Sequence, residues 1–207
     1  MAQQPDPRAH WNERFAAPGY RFGTAPNRFL ESQKHRLRAG QRALAVADGE
    51  GRNGVWLARQ GLAVTSVDIS PVGQEKARAL AKEAGVALDV VEADLAAWAW
   101  PAAAFDVVAA IFIQFAPPPV RAKIFDGMKR ALKPGGLLIL EGYRPKQLDY
   151  GTGGPAVAEN MYTRALLEGA FGDMEILHLA EYDAEIEEGT GHKGMSALID
   201  LVARKRG

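Results

Sequence analysis

The apolar positions of the chain change period near residue 42. Before that point, PRAHWNERFAA reads as a short helix and PGYRFGTAPN as a Gly/Pro-punctuated loop that carries Tyr20 and Phe22. Asn27 then stands where it would cap a second helix, RFLESQKHRLRAG, which Gly40 stops. After it, short apolar runs alternate with helical stretches. RALAVAD (42–48) predicts a strand and RNGVWLARQG a helix closed by Gly61; AVTSVD (63–68) predicts the second strand. Ser70 and Pro71 open a helix that runs to Ala84, and LDVVEAD predicts the third strand. FDVVAAIFIQF is apolar throughout, as suits a strand buried on both faces. PVRAKIFDGMKRALK repeats its apolar residues at helical spacing, and GGLLILEGY predicts the fifth strand.

This β/α alternation predicts an α/β fold, a doubly wound and mostly parallel sheet with right-handed crossovers. After the fifth strand come a Gly-rich loop, YRPKQLDYGTGGP, and a helix, TRALLEGAF. Two strand-like segments follow, MEILHLAEYDAEI and GMSALIDLVARK, whose short joint EEGTGH predicts an antiparallel hairpin. With these the sheet has seven strands. With no linker in view, the chain reads as one domain, a helical prelude or lid over 1–40 and a sheet domain over 41–207.

Chemistry concentrates in ADGEGRNG (47–54), between the first strand and its helix, where open α/β sheets bind ligands. Gly49, Gly51 and Gly54 spell G-x-G-x-x-G. Those letters suit a dinucleotide enzyme that rests pyrophosphate on the helix N-terminus, and equally an enzyme that packs an adenosyl-methionine against the turn. Three features separate the two. Only about 65 residues follow the fifth strand, too few for a dehydrogenase substrate domain. Asp94 ends the third strand as an acceptor for the exocyclic amine of adenine, while Asp68 would accept from ribose hydroxyls or cap the next helix. A closing hairpin stands where a dinucleotide fold has its sixth parallel strand.

In order, ADGEGRNGVWLA, VTSVDIS, EADL, FDVVAAIF and LKPGGLLIL resemble the successive motifs of class I S-adenosylmethionine-dependent methyltransferases, from about residue 10 onward. With YRFGTAPNRFL, they are most similar to the tellurite-resistance and thiopurine-methyltransferase-like group, which acts on small molecules. The resemblance implies a Rossmann-like methyltransferase fold and S-adenosyl-L-methionine as cofactor, leaving as S-adenosyl-L-homocysteine. It also implies in-line methyl transfer to a small acceptor. It places Gly49 and Gly51 at the methionyl end, Asp68 at the ribose, Asp94 and Leu95 at the adenine, and Ile111 to Gln114 under the methyl group, and it counts Phe22, Ala47, Asp48, Asn53 and Ile69 among the cofactor-binding residues. The chain departs from the family at Ala45, where an acidic residue is usual, and at Ala47, where glycine is usual; Asp48 is the candidate substitute for the missing carboxylate. A nicotinamide oxidoreductase and a cofactor binder without turnover are the competing readings.

The aromatic residues Tyr20 and Phe22, with Trp11, are expected either to close over a sulfonium or to staple the prelude to the sheet. If the sixth strand runs parallel to the main sheet, the hairpin tip meets the end of the fifth strand. Glu187, Glu188 and His192 then converge with Glu141 and Tyr143. Tyr20, Glu141, Tyr143 and His192 are accordingly the candidate catalytic residues, and Glu141 or His192 is the candidate base. The carboxylates and imidazole of the tip read as a charged hairpin, with no metal site expected.

Charge and composition narrow the partners. Lys plus Arg and Asp plus Glu are 25 each, so no global field favours nucleic acid or an anionic membrane. Without Cys there is neither disulfide nor thiolate chemistry. The N-terminus has no signal-peptide core and no apolar run approaches the ~20 residues that span a bilayer. A cytoplasmic protein is expected.

Overall fold

A computed structural model describes residues 6–207 of the protein. In chain order its elements are α1 (Pro7–Phe15), α2 (Arg28–Ser32), β1 (Arg42–Val46), α3 (Arg52–Arg59), β2 (Ala63–Asp68), α4 (Pro71–Glu83) and β3 (Asp89–Glu92). Then come β4 (Phe105–Ile111), α5 (Pro118–Ala131), β5 (Leu132–Tyr143), α6 (Gln147–Tyr150), α7 (Arg164–Phe171), β6 (Glu175–Glu188) and β7 (His192–Arg204).

The seven strands form one sheet in the order β3-β2-β1-β4-β5-β7-β6. Strands β1 to β5 pair in parallel, and β7 is antiparallel to both β5 and β6, so β6 runs with the main sheet. The expected doubly wound sheet with an antiparallel hairpin is therefore present. Alternate residues of the central strands enter two separate cores, as a period of two requires. Leu44, Val46, Val108, Ala110, Leu138 and Leu140 pack with Ile124, Phe125 and Met128 of α5 and Phe171 of α7. Ala43, Ala45, Val107, Ala109 and Ile139 pack with Phe29 and Leu30 of α2 and Trp56 and Leu57 of α3.

Four boundaries differ from the sequence reading. The third strand, expected to reach Asp94, ends at Glu92 and leaves Asp94 in a loop. Helix α2 is one short turn followed by 3₁₀ geometry over Gln33–Arg36, where a longer α-helix was expected. Helix α5 stops at Ala131 rather than at Lys133. Pro134 disfavours helical geometry at Lys133, and Leu132 already pairs with Phe105. In the hairpin, Glu188 pairs with His192 as the last rung, so the turn contains only Gly189, Thr190 and Gly191. That turn is held by the prelude. The N–H groups of Thr190 and Gly191 donate to Arg21 O at 2.8 and 3.0 Å, and a side chain on Gly191 would strike the ring of Phe22.

Candidate active site

The carboxyl ends of β1, β2, β4 and β5 meet the hairpin turn and the prelude loop, and the glycine turn stands at their centre. It bends sharply: Ala47, Gly49 and Gly51 have φ of 48°, 56° and 88°. Ala47 thus holds a left-handed conformation where the family has glycine, which costs an L-residue roughly 1–2 kcal/mol. The space left by each missing Cβ is filled. At Gly49 a Cβ would lie 2.9 Å from the Phe15 ring, at Gly51 it would lie 2.6 Å from the Cβ of Ala77 on α4, and at Gly54 it would strike the Asp48 carboxylate. Gly51, expected against the cofactor, therefore lets α3 approach α4.

The letters between the glycines tie the turn to the prelude and the hairpin. Glu50 accepts from Arg21 N at 2.7 Å and from Lys76 Nζ at 2.8 Å. Arg52 donates to Glu188 Oε2 at 2.6 Å, and Asn53 Oδ1 accepts from Asn27 N at 2.9 Å. Asn53, expected among the cofactor-binding residues, is thereby a bracket for the prelude.

Asp48 points inward. Its Oδ1 accepts from Gly54 N at 3.1 Å and its Oδ2 from Ser66 Oγ at 2.7 Å. Burial pushes its pKa up to about 7 against those two hydrogen bonds. It does not reach out to replace the carboxylate absent at Ala45, as the sequence suggested. It does occupy the N-terminus of α3, where a dinucleotide fold rests its pyrophosphate, so an anion seat there is already filled by a carboxyl group.

Asp68, at the end of β2, accepts from Gly49 N at 2.9 Å and Ser70 N at 2.8 Å. Burial raises its pKa and those N–H groups oppose the shift. A carboxylate has about four acceptor positions, so two remain for vicinal hydroxyls. Both functions weighed from the sequence, ribose acceptor and local cap, are compatible on this one side chain. Ile69 beside it is half-buried. Asp94 is exposed and its Oδ1 accepts from Ala96 N at 2.9 Å, which leaves Oδ2 unengaged. Leu95 is buried in the core, and its carbonyl accepts from Trp100 Nε1. Ile111 is likewise core.

At the end of β4, Phe112 adopts φ 54°, a strained conformation for an aromatic residue and one that recurs at functional sites. Its ring lies 4.6 Å from Tyr143 and 4.4 Å from His192, and Phe22 reaches His192 at 4.5 Å. Phe15 and Trp11 continue this series of rings toward the glycine turn. Phe22 thus joins the enclosure. Tyr20 does not: its hydroxyl donates to Lys76 O at 3.4 Å and its ring packs against Val55 and Leu80. The expectation of a catalytic Tyr20 is corrected to a staple between the prelude and α4. Gln114 also has a different place from the one expected, because its amide pairs with the backbone N–H and C=O of Tyr143 and prolongs the β4–β5 ladder.

Behind the rings lies a buried polar network. The Asn27 amide donates to Glu141 and, at 3.0 Å, to Glu188 Oε1; Tyr182 donates to Glu141 Oε1 at 3.2 Å. Burial, with the neighbouring charges of Asp200 and Glu188, raises the Glu141 pKa well above the carboxylate range, and burial raises Asp200 too. Glu188 is the opposite case. Burial acts to raise it, but His192 and the Arg52 guanidinium outweigh that and hold it at about 2. Burial lowers His192, whose Nδ1 faces Glu188 Oε2 at 3.6 Å. The hydroxyl of Tyr143 and Nδ1 of His192 are buried without a hydrogen-bond partner. The convergence of Glu188 and His192 with Glu141 is as expected, whereas Glu187 is exposed and pairs with Lys193. Sequence reasoning saw Asn27 only as a helix cap and overlooked Asp200, Tyr182 and Arg52. A lone carboxylate inside the apolar run SALIDLVA was the signal for Asp200.

An Asp200→Asn variant tests the raised acids of this network. A carboxyl raised in the folded state contributes stability that is complete below its ordinary pKa and is lost as pH rises through the folded value. Wild type should lose several degrees of Tm between pH 5.5 and 8.5 that the variant retains. Equal losses in thermal melts would refute the raised acid.

Taken together, the cleft suits a cationic adenosyl cofactor. Acidic side chains stand at the end of β2 and in the loop after β3, rings line the path between the glycine turn and His192, and the phosphate seat is filled. Residues 43–136 match the family described as methyltransferase domain. An uncharacterized protein of Mycobacterium tuberculosis is 33% identical over 111 residues, 53% of this chain and 40% of the relative; the chain thus spans less than half the length of the curated relatives it matches. Among solved structures, one concerned with converting a disulfide bond into a thioacetal during echinomycin biosynthesis superposes with a TM-score of 0.76 (18% identity, 96% of this chain, 89% of that one). A SAM-dependent methyltransferase from Methanosarcina mazei gives 0.70 (18% identity, 88% and 99%), and TehB from Haemophilus influenzae 0.72 (16% identity, 96% and 67%). At these identities the structural likeness is one of fold. The sequence match to a methyltransferase domain covers residues 43–136, and over the rest of the chain the likeness to S-adenosylmethionine-dependent methyltransferases is one of fold.

Proposed function

We propose that the protein transfers a methyl group to a small-molecule acceptor, bound beside the rings of Phe22, Phe112 and Tyr143. The observation that carries this reading is the row of aromatic rings that runs from the glycine turn to the buried imidazole of His192. When bound, S-adenosylmethionine supplies an activated methyl on a sulfonium, displaced in line by the acceptor. Asp68 would accept from the ribose hydroxyls, and Asp94 with the backbone of Leu95 would hold the adenine edge. The aromatic faces favour a cation by about 0.5–2 kcal/mol and exclude water around it. Positioning is then the main work of the chain.

Of the two candidate bases, His192 is favoured. Glu141 is enclosed by Asn27, Tyr182 and Asp200 and is driven toward its protonated form, so it holds a proton rather than takes one. His192 is driven toward its neutral form, with Glu188 behind it as a positioning residue that would stabilise the imidazolium once formed. Tyr143 serves as wall.

Release of S-adenosylhomocysteine across a panel of small thiols, phenols, alcohols, amines and oxyanions tests the function. Turnover on at least one acceptor is expected, and cofactor binding with no turnover on any would favour the binding-only reading. On an acceptor that must lose a proton, His192→Asn should lower kcat about 100-fold or more. It should also remove a rising limb of the pH profile that lies below pH 6.5, the side to which burial moves the imidazole. A variant with the wild-type profile would dismiss His192 as the base.

A further inference from the structure

Two cations of the prelude stand outside the networks described above. Arg14, near the end of α1, and Arg21, in the loop that clasps the hairpin, each carry a buried Nε without a hydrogen-bond partner. Neither guanidinium forms an ion pair with an acidic side chain among the described residues, and residues 1–5 contain no acid. Nearby cations are treated differently: Arg52 holds Glu188 and Lys76 holds Glu50. The polar contact of Arg14 is a 3.4 Å approach of its guanidinium to His10 Nε2. Its guanidinium lies 5.3 Å over the Trp11 ring, and that of Arg21 lies 5.8 Å over Phe22. The rings beneath the two guanidinium groups, Trp11 and Phe22, are joined through Phe15 in one series at 5.4 and 6.3 Å, which sets the two cations on one side of the prelude, and burial and the charge of Arg21 lower the pKa of Arg14.

Partly desolvated like charges are unfavourable until an anion completes them, and a guanidinium fork matches a carboxylate in shape. Their place in the fold indicates which anion. Phe15, the neighbour of Arg14, covers Gly49, and Phe22, the neighbour of Arg21, packs on His192. The pair therefore stands over the span from the glycine turn to the acceptor end, where the methionyl part of the cofactor would lie. We infer that Arg14 and Arg21 together clamp a carboxylate, the α-carboxylate of the cofactor's amino-acid end. The inference rests on the proposed use of S-adenosylmethionine.

Calorimetric titration of wild type, Arg14→Gln, Arg21→Gln and the double variant with two probes tests it. S-adenosylhomocysteine carries the carboxylate; 5′-methylthioadenosine keeps the adenosine and the sulfur but lacks it. Each single variant should weaken S-adenosylhomocysteine about 10-fold or more while methylthioadenosine changes less than about twofold. Arg21→Lys should restore part of the loss. Equal weakening of both probes would mean a structural role and overturn the clamp. Unchanged S-adenosylhomocysteine affinity would overturn it as well, and a raised KM for an anionic acceptor in that case would give the two arginines to the acceptor. A wild-type protein that binds neither probe defeats the cofactor reading itself, whereas one that binds both leaves the clamp to be judged by the variants alone.

Discussion

Replacing Arg52 with methionine should destabilise the protein by about 3–5 kcal/mol in urea denaturation at pH 7.5, the usual result of breaking a buried ion pair from one side. Arg52 and Glu188 are 8% and 7% exposed at their side chains and meet at 2.6 Å. Removing the guanidinium leaves Glu188 buried with the Asn27 amide and a neutral His192. The pH dependence identifies the mechanism. In wild type the folded pKa of Glu188 is depressed to about 2, so the contribution of the pair is present above the ordinary carboxylate value and is lost only as pH falls toward 2. In the variant the Glu188 pKa rises, protonation relieves the uncompensated charge, and the deficit should shrink between pH 7.5 and pH 5. Arg52→Met combined with Glu188→Met should recover much of the loss. A single variant within 1 kcal/mol of wild type at pH 7.5 would mean that the pair does not tie α3 to the hairpin.

Asp68→Ala should weaken S-adenosylhomocysteine by about 1–3 kcal/mol, or ~5–150-fold in Kd, the range for losing hydrogen bonds to a charged group. The side chain has a second task, because it accepts from Gly49 N and Ser70 N. Some stability is therefore expected to go with the affinity. Asp68→Asn separates the two: its amide oxygen can still accept from a backbone N–H, but its NH₂ faces the ribose with donors. The asparagine variant should recover stability before it recovers affinity. Unchanged affinity in the alanine variant would move the ribose elsewhere.

These two residues also show where the sequence was legible. Asp68 follows from position alone: an acid at the end of the second strand of a βαβ unit faces the ligand crevice whatever its neighbours. The same logic located the sheet, the hairpin and the convergence of His192 with Glu141, since each depends on strand period and connection length. Arg52 shows the opposite. Its partner is 136 positions away, and nothing local in GEGRN states that Glu50, Arg52 and Asn53 each grip the prelude or the hairpin. Glu141 read equally well as base or cap, and only its burial, with Asp200 arriving from β7, raises its pKa, against the opposing hydrogen bond from the Asn27 amide. Tyr20 read equally well as a cover for the sulfonium or as a staple, because aromatic composition does not reveal which way a loop turns its rings. Lys76 and Leu80 of α4 decide that.

The central claim is that the glycine turn serves an adenosyl-methionine cofactor and not a dinucleotide, and paired calorimetric titrations with S-adenosylhomocysteine and NADH test it most directly. Saturable binding of S-adenosylhomocysteine with no heat from NADH is the result expected with Asp48 seated at the N-terminus of α3. Binding of NADH without binding of S-adenosylhomocysteine would contradict the account.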